Sequence, residues 1–293
     1  MSDIYPLDIW HVIFQNCDLI SQLRLISVCS NFYHSFFITD LYNIPHTYQN
    51  KLTGLILQQR KFSRLVQLDI QYNKNVNNIS FLTTLKKLHI GYLCEIDQQG
   101  IKGLNIIELS AMGNEKIKDV SFMTNLKKLN ARSCGIDQQG IKGLDLIELS
   151  AGYNEKIKDV SFMTNLKKLN IIGFCGIDQK GIKGLDLIKL CASYNEKIED
   201  VSFMTNLKKL YASASCGIDQ QGIRGLDLVE LSVGDNKKIK DVSFMINLKI
   251  LYAVGSCGIN LQSIKGLNID ILDTHGNPNF TKAVSEVYIQ AQN

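Results

Sequence analysis

Val120–Asn130 reads VSFMTNLKKLN, and the same letters return at Val160–Asn170. Val201–Tyr211 differs only in its last residue, and Val242–Tyr252 is a further variant. The interval is 40 or 41 residues. A fixed period of this kind marks stacked repeats, in which each unit leaves an apolar side bare until a neighbour covers it. Every long unit divides into two halves on one template, LxxLx(A/I)xx(N/C)xxI. The halves begin at Leu65, Leu85, Ile106, Leu126, Leu146, Leu166, Leu187, Leu207, Leu228, Leu248 and Ile269, eleven copies spaced by 20 or 21 residues. The fourth position is leucine throughout, from Leu68 to Leu272. The period-two run in each copy predicts a short parallel strand with positions 4 and 6 facing inward. The return segments alternate between IKDVSFMTN (Ile157–Asn165) and IDQQGIKGLD (Ile136–Asp145). Both are too short for long helices, so 3₁₀ turns or extended stretches are expected there.

Several columns run through the copies. Asn73, Asn114, Asn154, Asn195, Asn236 and Asn277 hold position 9, where an amide can satisfy backbone groups as the strand turns away. Cys134 takes that place in an alternate copy, and Cys94, Cys175, Cys216 and Cys257 fall one residue later. Successive cysteines lie two strands apart, roughly 10 Å. That is beyond disulfide reach and too far for one tetrahedral zinc. A buried thiol ladder in a reducing, intracellular compartment is the reading, with no metal and no cofactor. Phe81, Phe122, Phe162, Phe203 and Phe244 form a column expected to pack in the core.

Composition narrows the function. The chain has 293 residues, 45% hydrophobic, with a formal net charge of +4. That charge is modest for a nucleic-acid binder. No run of about 18 apolar residues suggests a membrane span, and the start lacks the pattern of a signal peptide. The histidines are scattered, and no GxSxG, HExxH, CxxC or P-loop occurs, so no enzyme is expected. Residues 1–53 contain no glycine, whereas all 21 lie from Gly54 onward. That segment is rich in aromatics, with Pro6 placed to start a helix. Ile9, Ile13 and Phe14 share one helical face, and Asp18 or Ser21 is suited to cap a second helix. A third helix is expected from about Val28 to Phe37.

The repeat template resembles the leucine-rich repeat from Leu65 to about Phe280. The segment ahead of it resembles an F-box through Pro6, Ile9, Ile13, Phe14, Leu23, Val28, Cys29 and Phe32. Tyr5 stands where leucine is usual, and Phe32 where tryptophan is commonest. Together the two resemblances imply an F-box/leucine-rich-repeat protein. The fold implied is an α/β solenoid: a helical F-box over 1–50, repeats with a parallel concave sheet over 51–277, and a helical cap over 278–293. The function implied is a non-catalytic substrate receptor of a cullin–RING ubiquitin ligase, with those eight residues meeting a Skp-type adaptor. The near-identical copies and the Ile-, Lys- and Asn-rich composition resemble F-box proteins of large DNA viruses, which would place the chain in host cytoplasm. Two other readings stand beside this one: a repeat scaffold whose helices merely cap the solenoid, and a decoy that occupies the adaptor without a target.

Copies that otherwise agree differ on the strand face. Position 5 includes Asn130, Asn170, Tyr211 and Tyr252, and position 7 includes Arg132 and Ile172. Position 3 alternates in charge through Lys87, Glu108, Lys128, Glu148 and Lys168, then breaks at Lys189 before Lys209 and Glu230. Like charges on neighbouring strands are destabilising. The strip Lys168, Lys189, Lys209 is therefore expected to bind an acidic segment of a target protein whose identity stays open.

Overall fold

The computed structural model describes residues 6–42 and 44–280, and the chain divides into two compact units at Leu126/Lys127. Tyr5 and most of the expected C-terminal cap lie outside the described residues.

The first unit opens with three short helices, α1 (Leu7–Gln15), α2 (Leu19–Val28) and α3 (Ser30–Ser35). Pro6 precedes α1, where its missing N–H leaves no bond unmade. The Asp18 carboxylate accepts from the Ser21 N–H at 2.8 Å and so caps α2. Cys29 is extended, with φ −156° and ψ 164°, and breaks α2 from α3. An aromatic cluster closes the helices on one another: Phe36 stacks on Phe14 at 4.7 Å and meets Phe32 at 5.0 Å, while Trp10 meets Phe32 at 5.1 Å. Arg60 donates to the carbonyls of Tyr33 and His34, satisfying the end of α3.

Strand β1 (Asp40–Leu41) follows, within the stretch expected to be helical, then the single-turn helices α4 (His46–Gln49) and α5 (Gly54–Leu57). Strands β2 (Gln67–Asp69), β3 (Lys87–His89) and β4 (Glu108–Ser110) complete the sheet of this unit. All pairs are parallel, with Leu41, Leu68, Leu88 and Leu109 in register.

The second unit carries eight strands: β5 (Lys128–Asn130), β6 (Glu148–Ser150), β7 (Lys168–Asn170), β8 (Lys189–Cys191), β9 (Lys209–Tyr211), β10 (Glu230–Ser232), β11 (Ile250–Tyr252) and β12 (Ile271–Asp273). Each pairs in parallel with the next, and the position-4 leucines form one row from Leu129 to Leu272. From Leu129 to Leu251 these leucines are buried, as are Ala131, Ala151, Ile171, Ala192, Ala212, Val233 and Ala253 at position 6. Full burial of a leucine-sized side chain is worth about 1.5–3 kcal/mol, repeated at every step of the stack. The return segments hold 3₁₀ turns at Gln139–Ile141, Lys180–Ile182 and Gln262–Ile264.

Two polar ladders tie one copy to the next. Asn154 donates to the carbonyls of Ala131 and Ile136 in the preceding copy, at 2.9 and 3.0 Å, and accepts from the N–H groups of Lys156 and Ile157 in its own. Asn195 and Asn236 repeat the same arrangement of donations. The other ladder was not legible as a column. Gln138 accepts from Lys158 and Asp159 N–H and donates to the Asp159 carbonyl, and Gln179 and Gln220 do the same one and two units on. The repeated Asp-Gln dipeptide is thus a clamp between copies rather than a solvated turn.

The phenylalanine column departs from its expectation. Phe162, Phe203 and Phe244 are exposed, and the adjacent Met163, Met204 and Met245 fill the core instead. A turn carries consecutive side chains to opposite sides, and the unbranched methionine adapts better to the interior. The thiol ladder is buried: Cys134 donates to the Ala131 carbonyl at 3.1 Å, and burial pushes the Cys216 thiol up to about 11.

Candidate partner-binding surfaces

The helices sort the F-box-like residues into two groups. Phe14 (5% exposed) and Phe32 (2%) belong to the aromatic cluster, so their side chains hold the segment together rather than face outward. Leu23 and Cys29 are half-buried. Pro6, Ile9, Ile13 and Val28 are exposed, Val28 at 57%. Val12 and Ile20, which the sequence pattern did not single out, are exposed as well. Ile9, Val12 and Ile13 follow the i, i+3, i+4 spacing of one helical face, opposite Trp10 and Phe14. Together they leave apolar surface on α1 and α2 that the rest of the described residues do not cover.

In the second unit, the outward face of the sheet carries charge. The register sets Lys128, Glu148, Lys168, Lys189, Lys209 and Glu230 side by side at position 3. Glu148 receives Lys168 at 2.8 Å and Lys128 at 3.6 Å, and Glu230 receives Lys209 at 2.6 Å. Partial burial pushes the Glu148 carboxyl up, but the two lysines outweigh it and hold it below the ordinary range. The Tyr211 hydroxyl also donates to Glu230, and burial together with that bond pushes the phenol up. Lys189 has no carboxylate partner among the described residues, and its ammonium lies 4.9 Å from the centre of the Tyr211 ring. Of the three lysines in the strip, Lys168 and Lys209 are ion-paired, whereas Lys189 makes no ion pair among the described residues and acts on Glu230 only through its charge.

The polar residues nearby are shaped by local turns. Asn130 accepts from the Arg132 N–H and Asn170 from the Ile172 N–H, two residues on, so each side chain bends its own strand end. The Arg132 guanidinium lies 4.8 Å from the centre of the Tyr153 ring. Ile172 packs beside Gly152, where a Cβ would come within 2.7 Å of it. Tyr252 is half-buried on β11, two strands beyond Tyr211 on β9.

Among the described residues no group of three or more His, Cys, Asp or Glu is placed to hold a metal, and no helix is long and apolar enough to cross a membrane. No curated protein matches the chain. Comparison with protein families matches the F-box domain over residues 6–42, the stretch holding α1, α2, α3 and β1. The chain therefore carries an F-box domain, followed by a parallel solenoid of repeats.

Proposed function

We propose that the protein is a non-catalytic substrate receptor of an SCF-type ubiquitin ligase, its F-box docking a Skp-type adaptor and its repeats holding a target protein. The observation that carries this is the apolar surface left open on α1 and α2, inside the F-box match. Ile9, Ile13 and Val28, joined by Val12 and Ile20, are the adaptor contacts; Phe14 and Phe32 support them from beneath. The repeats read as leucine-rich repeats, supported by their short strands and asparagine ladder. Their target surface comprises Asn130, Arg132, Lys168, Asn170, Ile172, Lys189, Lys209, Tyr211 and Tyr252. Work inside a cell fits eight cysteines with no disulfide among the described residues. The near-identical copies favour a viral source and hence host cytoplasm.

Capture of a purified Skp-type adaptor by the full chain tests the reading. Stoichiometric binding is expected, and an Ile13→Asp variant should lose it while keeping its circular dichroism. Absence of binding would favour the second reading, a repeat scaffold with a helical cap. That reading draws on one observation: β1 pairs with β2, so the F-box segment is tied into the first sheet as a cap would be.

A further inference from the structure

The repeats of the second unit break their own rules twice, on neighbouring strands. The first break is the charge order, where Lys189 follows Lys168 directly in register and is followed by Lys209. The second is conformational. Position 8 takes the left-handed backbone in every copy of this unit, and most copies place Gly, Ser, Ala or Asp there. Two copies instead place a tyrosine, Tyr153 at φ 53° and Tyr194 at φ 61°. A bulky residue in that region is strained, and retained strain of this kind gathers at functional sites.

Each feature has a cation set against a tyrosine ring. Arg132 has no carboxylate partner among the described residues and lies over the Tyr153 ring. The Tyr153 ring in turn covers Gly173, where a Cβ would clash with it at 2.4 Å. Phe174, next along the chain, is 75% exposed. Cys191, on β8 between Lys189 and Tyr194, is half-buried; desolvation raises its thiol, and the positive charges of both Lys189 and Arg132 act against that rise. Two cations that form no ion pair among the described residues, each set against a tyrosine ring, thus lie on this face together with the exposed rings of Tyr153, Phe174 and Tyr194.

We infer that this part of the strand face binds a short acidic segment of a target protein, with Lys189 and Arg132 each meeting a separate carboxylate and Tyr153, Phe174 and Tyr194 receiving an apolar neighbour. The inference rests on the reading of the repeats as the target-holding part of the receptor. Charge complementarity selects the occupant. Glu148 and Glu230 stand at the two ends of the lysine strip, so a long polyanion such as a nucleic-acid backbone would meet a carboxylate on either side. A carboxylate fits between them at Lys189, and Arg132, at position 7 of the copy that holds β5, stands outside that span to meet a second.

The test is a selection of random peptides displayed on phage against the immobilised full chain, followed by binding of the selected peptides to variants. The enriched sequences should share Asp or Glu beside an apolar residue. Lys189→Glu and Arg132→Glu should each weaken binding by about tenfold or more at low ionic strength. Tyr153→Gly and Tyr194→Gly should weaken it too while raising the melting temperature, because glycine adopts the left-handed backbone without strain. Lys189→Glu should leave the fold as stable or more so, since it restores the alternation. A merely structural role would move stability and binding together. The proposal is overturned if nothing is enriched, if the enriched peptides lack acidic residues, if the variants bind as tightly as the parent, or if a single-stranded oligonucleotide binds this strip in their place. Adaptor capture by the same variants should be unchanged. Failure of the parent chain to capture adaptor would remove the receptor reading and leave the acidic-segment site standing.

Discussion

The F-box helices and the repeats of the second unit bury similar side chains but leave opposite kinds outside. In the helices, Phe14, Ile26, Phe32 and Phe36 close a small core while Ile9, Val12, Ile13 and Val28 stay in water. In the repeats, each copy covers the apolar columns of the last, and the outward strand face keeps mainly charge, amides and tyrosine. The difference follows from size. A segment of about forty residues cannot bury all of its apolar surface, and what remains suits a partner. A stack uses its apolar surface on its neighbours, so charge and shape are what its outward face is left to offer.

The sharpest way to break this contrast is to remove one residue that holds each region together. Asn154→Ala removes an amide that serves four backbone groups across two copies. Each buried group left unpaired costs about 1–3 kcal/mol, so a loss of about 3 kcal/mol or more is expected in denaturant unfolding. Phe14→Ala removes a ring from the helical core and should cost about 3–5 kcal/mol. It should lower helicity and adaptor binding together. Full helicity with adaptor binding lost would place Phe14 in the interface and undo the division between core and surface.

Surface residues should behave in the reverse way. Val28→Asp is expected to cost at least about 2 kcal/mol in adaptor binding, seen by titration calorimetry, with the fold unchanged. A smaller effect belongs to the charged strip. Partial burial raises the Glu230 carboxyl, but the bonds from Lys209 and Tyr211 outweigh it and hold it below the ordinary value of 4.5. A depressed folded value means the stabilisation is present above that pH and is lost as pH falls through the folded value. Glu230→Gln should therefore lower the melting temperature near neutral pH, by the equivalent of about 1 kcal/mol or less, with the gap closing in acid. Labelling makes a final comparison: iodoacetamide should reach Cys17, Cys29 and Cys191 in the native protein and spare Cys94, Cys134, Cys175, Cys216 and Cys257, as mass spectrometry would read.

Periodicity made the solenoid legible, because a residue that returns every 20 or 21 positions with the same chemistry must occupy the same place in each copy. The strand positions, the leucine row and the asparagine ladder followed from it. Direction within turns did not follow. Phe162 and Met163 are both apolar, and only the turn geometry decides which is buried. Gln138 was hidden for a similar reason: a polar residue in a turn reads as solvated until the neighbouring copy supplies two N–H groups. On the F-box helices the motif marked the segment without separating core from surface, since Ile13 and Phe14 are adjacent and equally apolar. On the strand face the broken alternation at Lys189 was visible, whereas the neutralisation of Lys168 and Lys209 needed side-chain distances.

Titration of the full chain with a purified Skp-type adaptor, beside the Val28→Asp and Phe14→Ala variants, tests the receptor account most directly. The account predicts saturable one-to-one binding, lost in Val28→Asp with an unchanged melting curve and lost in Phe14→Ala only together with helical structure. No binding by the parent chain, or equal binding by the Val28→Asp variant, would contradict it.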